Sequence, residues 1–543
     1  MSFSRRHGLK TAGIASTLLA AGAVPRISAG QAAPIGEGAS DAEPLEGGEW
    51  IIGISELPDT LDPHKTGAAV TSTILTQAGD RLVAKNFDGE YVPNLANEWS
   101  ISDDGLTWTF QLRDDVTFHD GTPLDAAAVK ANFDRILDPE TNSVTAVGLL
   151  GPMTSTEAPD DYTFTFTLSE PFAPLLDNLT AGVLSMASPK AIETMGEEFG
   201  RAPVLTGPFV IDEWRTGDRI VLSRNPDYAW APGFMHQDGP AHLESLVYQS
   251  IIEEASRVAA FEVGEIHQTA IPATDIARIT EGDSHWIVSY LRKGVVFVEF
   301  NVTAEPFTDV AVRTALNHAV NKQDVVDAAL EGYGQAAYGI LPPTIFGFWE
   351  GIEEYAQAFD PDLSTMMLAE AGWTPGDDGI LEKDGERFEF TLLNLPTDTW
   401  GRAAQVIQSQ LGDIGVQMEI QQLEFATLLE EAQAASHQAE MMGYTYSDPD
   451  IAYTWFHSEN AGGGLNMSHI TDPELDALII AGRSEIEPEA RAEIYADIQR
   501  YISDLALWIP LWMDEYSIGF NRSLQNGVWH PDNYVVLFDA WID

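Results

Sequence analysis

An α/β fold is predicted from three features of the 543-residue sequence. Short runs alternate apolar and polar residues with period two, which marks half-buried strands. Between them lie runs whose apolar residues return every three or four positions, which marks amphipathic helices. Hydrophobic residues make up 44% of the chain, enough for a globular core, and the length corresponds to roughly three to four domains' worth of it.

Residues 102–137 show both patterns. Trp108, Phe110 and Leu112 are apolar, and Thr107, Thr109, Gln111 and Arg113 between them are polar, so one strand face is buried. Val116 and Phe118 continue the alternation past Asp114-Asp115. His119-Asp120-Gly121-Thr122-Pro123 is turn chemistry, with Asp supplying a local hydrogen bond and Gly a permissive backbone. Asp125 then caps a helix whose Val129, Phe133, Ile136 and Leu137 share one face. Nothing in this stretch is catalytic; it reads as a hairpin feeding a surface helix. Tyr162, Phe164, Phe166 and Leu168, alternating with threonines, repeat the strand pattern. Further strands are expected at 50–54, 295–301 and 388–395, and helices at 70–84, 310–320 and 405–411. There is no internal repeat.

The chain carries 28 Lys and Arg against 84 Asp and Glu, a formal net charge of −56. That charge argues against nucleic acid or an anionic membrane surface as a partner. Cysteine is absent, so there is no disulfide, thiol nucleophile, cysteine metal site or cysteine for a lipid anchor. The twelve histidines are scattered, without the spacing of a zinc protease or a zinc finger. His236 and His242, six apart across a Gly-Pro turn, are a weak pair. No GxSxG elbow, phosphate loop or GxGxxG is present, and Gly462-Gly463-Gly464 reads as a loop. No catalytic residue, metal or cofactor is expected.

Residues 1–33 read as an export signal. Arg5-Arg6 and the residues after it resemble a twin-arginine motif, and the apolar stretch from Ala12 to Val24 is too short to span a membrane. Residues 34–48, rich in Gly, Pro and acids, read as a flexible linker.

The run DDGLTWTFQLRDDVTFHDGTPL (103–124), preceded by Pro93-Asn94-Leu95-Ala96 and Trp99-Ser100, closely resembles the extracytoplasmic solute-binding proteins of the oligopeptide, dipeptide and nickel importers, known as family 5. Leu61-Asp62-Pro63, Thr206-Gly207-Pro208-Phe209, Arg224-Asn225-Pro226, Val312-Arg313 with Ala315-Leu316, and Ala369-Glu370-Ala371-Gly372-Trp373 match further landmarks. The resemblance implies the two-lobe periplasmic-binding-protein fold (type II, large cluster C-like) with an extra subdomain. Lobe 1 would span 49–285 and hold that subdomain, away from the cleft, at about 91–200. Lobe 2 would span 286–509, and 510–543 would return to lobe 1. The two crossings are expected near 270–295 and 505–515.

By the same resemblance, a ligand would bind between the lobes. Position in the family nominates Thr66 in the early loop, Thr206 and Gly207 in the glycine turn, and Asn394, Thr397 and Trp400 in a lobe 2 loop. It also nominates Tyr444, Thr445, Tyr446 and Asp448 in the cleft segment, and Asn466 beyond it. Peptide-binding members place an aspartate inside that segment for the peptide's ammonium. Here the segment is about two residues shorter, Tyr444 stands where a tryptophan would be, and no acid lies between it and Asp448. A buried ammonium without a counter-ion is costly. Either Asp448 takes that role or the ligand lacks a free amine. Trp400, Tyr444, Tyr446, Tyr453, Trp455 and Phe456 would give the cleft aromatic walls suited to flat apolar faces.

The function implied is the substrate-binding component of an ABC transporter. It would be a periplasmic monomer that captures a small solute, by default a short peptide, and delivers it to a membrane permease. An oligosaccharide or amine-blocked peptide is the alternative, with nickel chelates third. A secreted hydrolase or a chaperone-like protein are the readings from other classes. The dense acidic composition suits high salt, where screening removes self-repulsion. Stability against unfolding is therefore expected to rise between 0.1 and molar salt; a flat or falling midpoint overturns adaptation to a saline habitat.

Overall fold

The computed structural model describes residues 31–35 and 42–543. The twin-arginine-like motif and most of the expected export signal lie outside these residues, as does part of the expected linker.

Strand Trp508–Asn521 is shared by two halves of one twelve-stranded sheet. Its first part pairs antiparallel with Gly294–Phe300, which continues to Ala439–Thr445, Glu389–Asn394 and Gln417–Gln422. Its last part pairs antiparallel with His285–Leu291 and Gln268–Ala270. From there the sheet runs through Glu49–Ile54, Ser245–Ser250, Arg219–Arg224 and Phe209–Arg215. Each half is covered by helices and has its own apolar core. The chain thus forms the expected α/β two-lobe arrangement. It crosses between the lobes after Leu291 and again around Asp514.

The hairpin 102–137 folds as its pattern predicts. Strand Thr107–Leu112 buries Trp108, Phe110 and Leu112 and pairs with Thr163–Leu168, in an antiparallel sheet completed by Ala96–Ile101 and Met153–Glu157. Helix Ala126–Leu137 begins at Asp125, whose side chain accepts from Ala128 N at 2.8 Å. Its Phe133 lies against Phe164 and Phe166. Beyond Asp114-Asp115 the strand does not resume: Thr117 makes one isolated bridge to Pro123. This small sheet shares one continuous core with the first lobe.

Several boundaries differ from the sequence reading. The helix expected at 70–84 is Ala69–Ala78, and Val83–Lys85 is instead a strand paired with Tyr91–Pro93. The helix stops where Gly79 takes up extended backbone and Asp80 turns inward, its N–H donating to Thr206 Oγ1 and its carboxylate accepting from Trp230 Nε1, both at 3.0 Å. The helix expected at 405–411 starts earlier, at Asp398, capped by Thr397. Where the expected export signal meets the expected linker, Ala33–Pro34 pairs with Val528–Trp529, and Ile35 of the linker stretch is buried, with its N–H donating to Gly527 O at 2.8 Å. Ile35 is apolar and finds a core to enter, which a compositional reading of the segment missed.

The second lobe buries a pair of facing acids in its sheet. Glu299 and Glu440 face each other across paired strands, and His437 Nε2 lies 2.7 Å from Glu440 Oε2. Burial pushes the Glu440 carboxyl up to about 8. Burial and the neighbouring Glu440 push Glu299 up as well. A carboxyl whose folded pKa exceeds its unfolded value favours the folded state while it keeps its proton, and that contribution fades as pH rises through the folded pKa. Between pH 6.5 and 8, stability is expected to fall less steeply in Glu440→Gln than in the parent, by up to about 1.4 kcal/mol per pH unit. Denaturant melts across that window measure it, and parallel slopes overturn it.

Candidate functional site

The cleft forms where the lobes meet beside the crossings. At the first crossing Arg292 N donates to Asp514 O and Gly294 N to Arg292 O, both at 2.9 Å. Gly294 has no alternative here, because a Cβ would lie 2.0 Å from Tyr444 O. Lys293, between them, touches both lobes. Its carbonyl accepts from Tyr446 N of the second lobe at 2.9 Å, and its Nζ lies 2.6 Å from Asp532 Oδ1 of the first.

Asp532 is the hub of a charge cluster. Lys85 Nζ reaches it at 3.2 Å and also contacts Asp177, which accepts from Tyr91 OH at 3.2 Å. Burial works against the Asp532 carboxylate, but Lys85 and Lys293 outweigh it and hold its pKa well below the usual carboxylate range. Burial likewise works against the Lys85 ammonium, and Asp177 and Asp532 more than compensate, so it stays charged.

Two cavities flank this cluster and share Asp177, Lys293, Ser447 and Asp532 in their walls. One, of about 550 Å³, is rich in hydroxyls: Ser72, Thr73, Thr76, Thr145, Thr180 and Thr445 line it. The other, of about 680 Å³, is lined by Asp448, Arg491, Glu90 and the charge cluster as well as by apolar side chains such as Ile101, Trp108, Leu176, Ile345 and Phe346. Together their walls hold four cations (Lys85, Arg292, Lys293, Arg491) and four anions (Glu90, Asp177, Asp448, Asp532). A chain with three acids per base is charge-balanced at its cleft. The lobes also meet at the wall of the larger cavity, where Ala173 N donates to Arg483 O at 2.9 Å.

The nominated residues divide sharply. Thr445, Tyr446 and Asp448 line the cavities. Asp448 is bound on both oxygens by Arg491, at 2.6 and 2.9 Å. Thr66 is buried, donating to Asp59 Oδ1 at 2.7 Å. Thr206 is buried, and its Oγ1 accepts from Asp80 N at 3.0 Å. Gly207 does permit a close backbone approach, but to Ala78 at the end of helix Ala69–Ala78. Asn394 is buried and donates to Trp400 O at 3.1 Å. Thr397 caps the helix that follows, and Trp400 lies edge-on to Trp512. Asn466 is buried and donates to the carbonyls of His457 and Ile470. Tyr444 is half-buried between Phe297 and Trp455.

The aromatic run nominated as a cleft wall is mostly lobe 2 core, with Trp455 and Phe456 fully buried. Of that run Tyr446 lines a cavity, with Tyr290 and Tyr534; the aromatic residues of the other cavity are Tyr91, Trp108 and Phe346. The subdomain expected away from the cleft supplies Ile101, Trp108 and Leu176 to a wall. Its fusion to the lobe 1 core turns that side of the sheet toward the second lobe.

The charge cluster was missed. Its one sequence signal is scarcity: the chain has eight lysines, and Lys85 and Lys293 are two of them.

Residues 90–464 match the family described as "Bacterial extracellular solute-binding proteins, family 5 Middle". The chain is 28% identical over 514 residues to the glutathione-binding protein GsiB of Salmonella paratyphi A, spanning 90% of this chain and 94% of that one. Among solved structures it is similar to HbpA2 of Haemophilus parasuis, at 25% identity and a TM-score of 0.82, covering 91% of this chain and all of that one. The oligopeptide-binding protein AppA of Bacillus subtilis, in complex with a nonapeptide, gives 25% identity and a TM-score of 0.72 over 92% of this chain and all of that one. Among the described residues no helix is long and apolar enough to cross a membrane. The chain belongs to family 5 of the bacterial extracellular solute-binding proteins, the substrate-capturing components of ABC importers.

Proposed function

We propose that this protein captures a short peptide whose free amine is not read by a dedicated carboxylate, and hands it to a permease. It acts as a periplasmic monomer after twin-arginine export and catalyses no reaction. The observation that carries the reading is a cleft walled by both lobes in which the acids of the charge cluster and of the 447–450 segment already have cationic partners. Asp448, the one candidate for an ammonium, is fixed by Arg491. Asp177 and Asp532 are neutralised by Lys85 and Lys293. An incoming ammonium at any of these three would have to compete with the cation already there; the remaining cleft acid, Glu90, accepts from Asn86 at 2.9 Å. Relatives named for glutathione and for oligopeptides support the peptide class.

Binding follows from closure. A ligand touching both lobes stabilises the closed form, and the permease recognises that form. Lys293 links both lobes at the crossing, so the angle between them and the geometry of the cavities change together. An oligosaccharide is the second reading, favoured by the hydroxyl-rich cavity, whose Ser and Thr side chains could hydrogen-bond sugar hydroxyls.

Thermal unfolding of ligand-free protein against free-amine peptides, their N-acetylated forms, oligosaccharides and nickel-histidine tests this. A ligand at a hundredfold excess over its Kd adds about 2.7 kcal/mol. Free and acetylated peptides are expected to stabilise equally. Loss of the effect on acetylation overturns the indifference to the amine, and stabilisation by sugars alone moves the substrate class. Separately, Asp448→Asn leaves the Arg491 guanidinium buried without its carboxylate and is expected to cost about 3–5 kcal/mol of stability. A smaller loss, under about 1 kcal/mol by denaturant titration, would mean that Asp448 is free to serve a ligand.

A further inference from the structure

Three of the four cleft cations hold acids: Lys85 and Lys293 hold Asp177 and Asp532, and Arg491 holds Asp448. Arg292 is the exception. Among the described residues it forms no ion pair; its guanidinium lies 5.2 Å from the centre of the Tyr516 ring and donates to Tyr516 OH at 3.4 Å, which leaves most of its N–H groups unspent. Arg292 is exposed and lines the hydroxyl-rich cavity of about 550 Å³. Glu90 lines only the larger cavity and accepts from Asn86 at 2.9 Å. Asp514, beside Arg292 across the strand pair, accepts from Trp512 Nε1 at 2.9 Å. Burial pushes the Asp514 carboxyl up in spite of Trp512 and Arg292, so the guanidinium is not committed to it.

The hydroxyls around Arg292 fall into two groups. Those of Thr73, Thr76 and Thr180 donate to backbone carbonyls at 3.2, 2.7 and 2.7 Å, so they offer the cavity only lone pairs. Those of Ser72, Thr145, Thr445 and Ser447 make no hydrogen bond among the described residues, and each is at least partly exposed. Ser72 and Thr145 belong to lobe 1, Thr445 and Ser447 to lobe 2. Tyr446, between the last two, donates its N–H to Lys293 O at 2.9 Å, which sets both beside the crossing that carries Arg292. A neutral solute needs only the hydroxyls. A guanidinium with unspent N–H groups among unspent hydroxyl donors suits a carboxylate, whose two oxygens take their strongest hydrogen bonds from Arg.

We infer that Arg292 anchors the terminal carboxylate of the captured peptide, with the unspent hydroxyls of both lobes donating to the same oxygens. The inference rests on the proposed capture of a peptide and adds the end by which it is read. The acids of the charge cluster already hold cations, so recognition falls on the carboxylate and not on the amine. Because Arg292 stands at the crossing and the hydroxyls come from both lobes, the anchor is complete only when the lobes are together.

Calorimetric titration with N-acetylated Ala-Ala-Ala, as the free acid and as the C-terminal amide, tests this on the parent and on Arg292→Gln. Acetylation keeps the amine out of the comparison, and salt at about 0.5 M screens the repulsion of an anion by the acidic surface. The parent is expected to bind the acid at least about tenfold more tightly than the amide, and Arg292→Gln to bring the two within about twofold. The side chain is exposed, so the melting midpoint of the unliganded variant is expected to match the parent's. A parent ratio near or below one, or a ratio that Arg292→Gln leaves unchanged, overturns Arg292 as the anchor while peptide capture stands. Binding of neither peptide overturns both.

Discussion

Everything in this molecule that can move depends on backbone pairing along strand Trp508–Asn521. Its hydrogen bonds to Gly294–Phe300 tie it to one lobe, and those to His285–Leu291 tie it to the other. Between those ladders Arg292, Lys293, Gly294 and Val295 lie outside the register with this strand. A strand resists bending where both edges are bonded, so rotation between lobes is confined to this short interruption. The Lys293 carbonyl and ammonium sit at that interruption and face opposite lobes. The charge cluster around Asp532 is therefore part of the hinge as much as of the cleft wall.

The fold was legible where a single residue's environment is set by its immediate neighbours. Period-two alternation placed Trp108, Phe110 and Leu112 inward, and the Asp125 cap started its helix where turn chemistry said it would. Element ends were read less well, because they are decided from a distance. The helix expected to reach residue 84 stops at Ala78, where Thr206 and Trp230, more than a hundred residues away, take up the hydrogen bonds of Asp80.

The site was legible only as a segment. Position in the family led to Tyr444–Asp448, and four of its residues, Thr445 to Asp448, line the cavities. Thr66, Thr206, Asn394 and Asn466 are polar residues in loops near the cleft, and that description fits a ligand contact and a buried loop anchor equally. Their hydrogen bonds show the second. Lys85, Asp177, Lys293 and Asp532 come from four separate parts of the chain. No periodicity or local motif links them; only the fold brings their charges within contact distance.

The balance of four cations and four anions at the cleft has a kinetic side. At 0.1 M salt the field of an acidic surface reaches about 10 Å into solution, and at 1 M about 3 Å. An anionic solute drifting toward this protein in dilute buffer is turned back before it reaches the opening. Once inside, it meets no net charge. The barrier thus belongs to the approach and not to the bound state, so added salt speeds capture of anions while leaving their residence time nearly untouched. In concentrated brine the same molecule becomes an even-handed collector, choosing among solutes by the contacts inside its chambers and no longer by their charge at a distance.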